Sequence, residues 1–350
     1  MTKLNTREEI IFLIRGFFSN PILTSLGKAG ILDQFIEGEF RLKDFKLIKN
    51  PEVFSYIVKY LAQIGLLSAS NSEVDSYSAT PLGKKIFARY GTFVLLHSYK
   101  SFMDDVDSLL FDENTPTPKC DRLENVIGSG LTHGSRYFPV ALKMLDKTKL
   151  GTMIDMGCGD GFFLSSVVER FPGVDIVASD FSQIALDQTV LNVNKVDNSI
   201  NITTILSDLY NVEKWASEFL EKNKQVKENI AISIWYVIHE ISQGSVERVI
   251  NLFNNIHKFL PKAQLIIGEI TRIDDELLAE NRLLSVMPEF QFFHDISGQG
   301  ILKWSEYQTI LEKIPYTLTA EQIFDPLSSD TGEIPTGFIW HLVPNDSSKS

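Results

Sequence analysis

The sequence predicts an α/β chain, with a doubly wound, Rossmann-like seven-stranded domain preceded by a mainly helical, winged-helix-like domain. Three observations predict it. Apolar segments of strand length alternate with helical stretches through the second half, a glycine-rich turn follows the first of those strands, and the residues before about 105 show helical spacing around a polar hairpin. With 350 residues the chain is long enough for two ordinary domains, since one hydrophobic core is typical of ~150 residues. Its 44% apolar and 22% charged residues exclude collagen-like, low-complexity and mostly disordered chains.

Between Thr6 and about Phe45, Ile10, Ile11, Leu13, Ile14, Phe17 and Phe18 recur at helical spacing, and Ile22, Leu23 and Leu26 precede breaks at Gly27 and Gly30. Short helices with exposed apolar faces are expected. Residues 51–67 read as a helix ending near Gly65, residues 68–76 as a polar turn, and Thr80 with Pro81 as a helix cap. Helix, polar hairpin and capped helix together describe a winged helix. Such a module binds DNA or packs against protein, and here the candidate recognition helix offers one cation, Lys59, with Lys84, Lys85 and Arg89 nearby. Since 33 basic residues against 45 acidic ones leave a charge of −12, dimerisation is expected and nucleic acid is not.

The expected organisation is a winged-helix-like dimerisation domain over 1–105, a helical connector over 106–147, a catalytic domain over 148–344 and a polar tail over 345–350. Strand candidates lie at 152–156, 175–178, 202–206, 230–238, 265–269 and 338–343. Two cysteines, Cys120 and Cys158, are too few for a disulfide scaffold. No signal-peptide core precedes Arg15, and the longest apolar stretch elsewhere, 230–238, is far shorter than the ~18 residues of a spanning helix. A cytoplasmic enzyme with no membrane partner is expected.

Asp155-Met156-Gly157-Cys158-Gly159-Asp160-Gly161 places three glycines at alternate positions between a strand and a helix. Glycine permits close approach of a ligand to the turn. The spacing differs from the dinucleotide fingerprint, and acidic Asp155 and Asp160 would repel a pyrophosphate, so a cationic or neutral ligand fits better. Asp180 stands at the tip of the second strand, where an acid grips a ribose diol, and Asp208 follows the third. This ordered set resembles class I S-adenosylmethionine-dependent methyltransferases. That resemblance implies cofactor contacts from Asp155, Gly157, Gly159, Gly161, Asp180, Phe181, Asp208 and Leu209, with Trp235 and Tyr137 beside them.

A second resemblance spans nearly the whole chain. A winged-helix-like half followed by Trp235-Tyr236-Val237-Ile238-His239-Glu240 and Ile266-Ile267-Gly268-Glu269 is similar to small-molecule methyltransferases that form homodimers through their N-terminal domain. In the O-methylating members the histidine of a His-Asp pair is the general base, which implies that role for His239, with Glu240 in place of Asp and Glu269 as the acid that orients the imidazole. The chain departs from them further on. Residues 297–304 carry no acid where a second carboxylate is usual, and Phe292-Phe293-His294-Asp295 comes just before.

His239, Glu240 and His294 resemble the two imidazoles and a carboxylate with which the metal-assisted branch holds Fe(II) or another divalent metal while it methylates C3 of a 2-oxo acid, of the 2-ketoarginine or arylpyruvate type. His294 as a metal ligand and His294 as a pocket histidine remain alternatives. Consecutive His239 and Glu240 can share one metal only if the chain turns after Ile238. Arg136 stands in the connector, where it can meet a carboxylate of the cofactor or of the substrate. The expected function is methyl transfer to a small metabolite, with C3 of a 2-oxo acid preferred and O-methylation of a phenol or enol as the alternative. A regulator that senses S-adenosylmethionine is the alternative of another class, and it needs a basic recognition face that 51–67 does not offer.

Overall fold

The computed structural model describes residues 5–70, 75–117, 119–222, 229–281, 285–329 and 332–345. The chain divides into two compact units, one ending at Thr132 and the other starting at His133, to which 115–117 also belong.

In the first unit, Pro51 opens the helix Pro51–Gln63, where its missing N–H costs nothing, and the Asn50 side chain accepts from Val53 N at 3.1 Å. Phe54, Val58 and Leu61 recur on one face and are buried with Leu32, Phe35 and Phe87. Strands Phe40–Arg41 and Leu67–Ala69 flank Ser76–Ala79 in an antiparallel sheet. Thr80 then caps Pro81–Phe87 by accepting from Gly83 N. A β-carbon on Gly83 would lie 1.9 Å from the Leu66 carbonyl oxygen, so only glycine lets the helix approach the wing this closely. Helix, wing and capped helix thus form as their sequence signals predict.

The N-terminus differs from expectation. One continuous helix, Thr6–Lys28, replaces the short ones and runs through Pro21. A proline costs about 3 kcal/mol inside a helix, and burial of Leu23 and Leu26, with Gly27 laid against the Tyr90 ring, offsets it. By length and composition the helix is apolar enough to cross a membrane, which its run of residues, interrupted by Arg15, does not suggest. Its last turns belong to the core of the unit, while Leu13 and Phe17, each 77% exposed, lie outside it.

In the second unit seven strands form one sheet: β1 (Thr152–Met156), β2 (Asp175–Asp180), β3 (Ile202–Leu206), β4 (Ile230–Trp235), β5 (Gln264–Ile270), β6 (Tyr316–Phe324) and β7 (Gly337–Pro344). Their order is β3-β2-β1-β4-β5-β7-β6; the first five are parallel, and β7 runs antiparallel to β5 and β6. Strand order reverses between β1 and β4, which opens a crevice at their carboxyl ends. Alternate residues feed two cores. Met153, Ile176 and Ala231 pack with helices Phe138–Leu145, Phe162–Arg170 and Gln183–Val196, whereas Ile154, Val177 and Ile232 pack with Val212–Lys222, Val246–Phe259 and Trp304–Lys313.

Strand β6 has no apolar signature in the sequence. It lies at the sheet edge with a single strand neighbour, so Thr317, Glu321 and Gln322 can face water. The apolar run 230–238 also ends earlier as a strand than its composition suggests, because Tyr236 turns to φ 52° and helix Ile238–Ser242 begins.

Candidate active site

The first part of the site is the bend after β1. Gly157, Gly159 and Gly161 have φ values of 81°, 56° and 74°, in the left-handed region that L side chains rarely adopt. A β-carbon on Gly157 would lie 2.7 Å from Val237 Cγ2, so the cradle is closed to any larger residue. Gly157 and Cys158 donate their N–H groups to the Ser179 carbonyl, and Thr189 and Asn192 donate to the carbonyls of Gly159 and Asp160. The bend is therefore anchored to β2 and to the following helix before any ligand arrives. Cys158 is buried against Thr189, and burial pushes its thiol up, as suits a packing residue.

Asp180 ends β2 with its carboxylate accepting from Gly159 N at 3.1 Å and Ser182 N at 2.9 Å. Phe181 follows it, exposed, and Asp208 is exposed on the loop after β3, accepting from Tyr210 N. Leu209 is buried with its Cδ1 close to Gly157. These residues of three strand ends meet along one edge of the sheet, as their spacing implies. Asp155 lies beneath them, fully enclosed and hydrogen-bonded to Ser233 Oγ at 2.7 Å, while Asp160 accepts from Phe162 N at the helix start.

Burial pushes Asp155 up to about 7 and Asp160 up to about 6, with other carboxylates nearby adding to the rise at Asp155. An acid raised above its unfolded value, ~3.9, binds more protons when folded, so the folded state loses stability as pH climbs from that value towards 7. The stability lead of Asp155→Asn over the ligand-free wild type is expected to widen by on the order of 3 kcal/mol between pH 5 and pH 7.5, because the depressed His294 acts on both proteins alike and cancels. Unfolding curves at the two pH values check this; an unchanged gap between them contradicts it.

The second part of the site lies across β4 and β5. Glu269, fully buried, accepts from Ile238 N, His239 N and Ile270 N, and its Oε1 is 2.9 Å from His239 Nδ1. Proton transfer by this ring therefore runs through Nε2. His294, in the helix Met287–Ser297, sets its ring 4.7 Å from His239 at 76°. Its Nδ1 lies 2.6 Å from the Phe290 carbonyl, and burial, with His239 beside it, pulls it down to about 4. His294 is neutral at pH 7.

The expected metal set does not close. The chain does turn after Ile238, into the helix Ile238–Ser242, and the charges of both His239 and Glu240 act on His294. Among the described residues no group of three His, Cys, Asp or Glu side chains could hold an ion. The described residues therefore give no support to a divalent metal here.

Two further expectations are corrected. Arg136, expected to meet a ligand carboxylate, is held in a bidentate pair by Asp325 at 2.6 and 2.7 Å and lies over the Phe324 ring. Trp235, expected at the cofactor, packs between Phe138 and Phe163 and fills the space that a β-carbon on Gly268 would need. The pleat of β4 turns it into the core. Tyr137 packs tilted at 48° against Phe324 and meets His133 and Tyr236 edge-on. Asp325 escaped notice in the sequence; its place before Pro326 marks a turn, but nothing there points to Arg136.

No curated protein matches the sequence. The family model described as the AprA winged helix domain matches residues 15–113, and that of the methyltransferase small domain matches 130–221, which takes in the glycine bend, Asp180 and Asp208. The chain is a methyltransferase. The methyltransferase shares its fold with human N-acetylserotonin methyltransferase, solved with S-adenosylmethionine, at 13% identity and a TM-score of 0.59 over 99% of both chains. It is similar too to an O-methyltransferase family protein from Burkholderia thailandensis, at 12% identity and a TM-score of 0.60 over 99% of this chain and 100% of that one. S-adenosylmethionine is the cofactor that the methyltransferase match over 130–221 supports, and the positive-φ glycines keep the bend open for it.

Proposed function

We propose that the methyltransferase methylates a hydroxyl oxygen of a small phenol or enol, with His239 as general base. What supports this is the buried His239–Glu269 pair, in which the carboxylate holds Nδ1 and leaves Nε2 as the proton-accepting nitrogen. S-adenosylmethionine, when bound, supplies an electrophilic methyl group on a sulfonium centre. His239 takes the hydroxyl proton as the oxygen forms its bond to the methyl carbon, and the electron pair of the breaking bond passes to sulfur. Glu269 stabilises the imidazolium that results. Asp180 is assigned to the ribose hydroxyls and Asp208 to the adenine amino group, each as a hydrogen-bond acceptor at the edge where the resemblance places them.

A second reading, methylation of C3 in a 2-oxo acid, is favoured by His294, whose ring faces His239 across 4.7 Å. Here His239 would remove the C3 proton. Dimerisation through Thr6–Lys28 belongs to the same proposal and draws on its exposed Leu13 and Phe17. Incubation with S-adenosylmethionine carrying a ¹³C-labelled methyl, followed by NMR of the products, separates the two readings. A methyl carbon bonded to oxygen is the expected result; one bonded to carbon overturns O-methylation.

A further inference from the structure

Tyr236 carries two penalties at once. At the carboxyl end of β4 it adopts φ 52°, a left-handed conformation that costs a non-glycine residue about 1–2 kcal/mol. Its hydroxyl is enclosed and has no hydrogen-bond partner among the described residues, an omission that costs about 1–3 kcal/mol. The strain is held in place on both sides. Tyr236 N donates to the Gly268 carbonyl at 2.9 Å, and the phenol ring lies on the His133 imidazole with centroids 3.9 Å apart and planes 23° from parallel. Packing alone explains the ring and leaves the oxygen unexplained.

The titratable groups whose charge reaches that oxygen are Tyr137, Glu269 and Arg136. Arg136 is committed to Asp325, and Glu269 to His239 and three main-chain N–H groups. Neither takes up the phenol proton. Tyr236 stands three residues before His239, at the sheet edge where ligands of such folds bind, and the charge of Glu269, the partner of His239, acts on its phenol.

We propose that Tyr236 is a positioning residue for the methyl acceptor, its O–H donating to a second oxygen that stands beside the one His239 deprotonates. The proposal rests on the general-base reading and narrows it to acceptors with two neighbouring oxygens, such as a vicinal diol of an aromatic ring or an enol next to a carbonyl. The acceptor then supplies the partner that the fold withholds. Burial raises the phenol well above its ordinary value, so at neutral pH it donates and does not act as a base.

The test compares the full-length protein with Tyr236→Phe, which keeps the ring and removes only the oxygen. In the presence of S-adenosylhomocysteine, 1,2-dihydroxybenzene is expected to bind the wild type about fivefold more tightly than phenol does, the worth of one hydrogen bond. Tyr236→Phe is expected to erase that difference, while the ligand-free variant melts no lower than the wild type, because the lost hydroxyl had no partner. A wild type without preference, a preference retained in Tyr236→Phe, or a lower melting temperature of the free variant overturns the proposal. Because binding and not turnover is read, these outcomes stand apart from a failure of the general-base reading, which shows as methyl transfer persisting in His239→Ala.

Discussion

Alanine in place of His239 is expected to lower methyl transfer about a thousandfold while S-adenosylhomocysteine binds within about twofold of its wild-type affinity. A positioned general base contributes roughly 10²–10⁴ to rate, and His239 is the one imidazole here that is both oriented by a carboxylate and set at the carboxyl edge of β4. His294 does not substitute for it. A group pulled down to about 4 is too weak a base at neutral pH, and its Nδ1 is tied to the Phe290 carbonyl. The cradle from Gly157 to Gly161 is anchored to Ser179, Thr189 and Asn192, none of which depends on His239, so cofactor affinity survives the change. Labelled-methyl transfer under saturating cofactor, paired with calorimetry, measures both. A loss of cofactor affinity equal to the loss of rate would place His239 in the cofactor site instead.

Glu269→Ala is expected to destabilise the protein by about 3–5 kcal/mol and to remove activity. Its carboxylate collects Ile238 N at 2.8 Å, His239 N at 3.3 Å, Ile270 N at 2.9 Å and His239 Nδ1 at 2.9 Å, in a position with no exposure to water. Alanine leaves those donors enclosed and unpaired, and breaking a buried pair by removing one partner costs this much. Glu269 thus ties the start of helix Ile238–Ser242 to β5 and the imidazole to both. Glu269→Gln, which keeps one acceptor oxygen, should fold with a smaller loss and yet transfer methyl groups ~100-fold more slowly, because a neutral amide does not stabilise the imidazolium. Urea unfolding of the two variants checks the first expectation. A loss below about 1 kcal/mol in Glu269→Ala would mean that water reaches these donors.

Much of this site is legible in the sequence because its chemistry is tied to residue type. Gly157, Gly159 and Gly161 declare a bend that only positive φ can make, and each has it. His239 and Glu269 lie on neighbouring strands, and the β4–β5 register, with Trp235 opposite Gly268, brings the loop after one beside the end of the other. Asp180 and Asp208 follow their strands at the expected places. The rest depends on contacts that no local pattern encodes. Arg136 meets Asp325 across 189 residues, and both sit in turns whose composition fixes only that the chain bends. His239, Glu240 and His294 satisfy a list of metal-binding residue types, but among the described residues no three such side chains gather into a group that could hold an ion. Tyr236 looks in sequence like one more apolar position of a strand, and its strain and orphan hydroxyl arise only once β4 stops. Strand β6 is hidden because an edge strand tolerates polar residues, and the continuity of Thr6–Lys28 because tertiary burial overrides Pro21.

The most direct test of the account is titration of the pure protein with S-adenosylhomocysteine in an isothermal calorimeter, alongside Asp180→Ala. One-to-one binding in the micromolar range is expected for the wild type, with a loss of at least tenfold in the variant, because Asp180 both shapes the bend through Gly159 N and is assigned to the ribose. Absence of heat with the wild type, or an affinity untouched by Asp180→Ala, would contradict a cofactor site at the bend after β1.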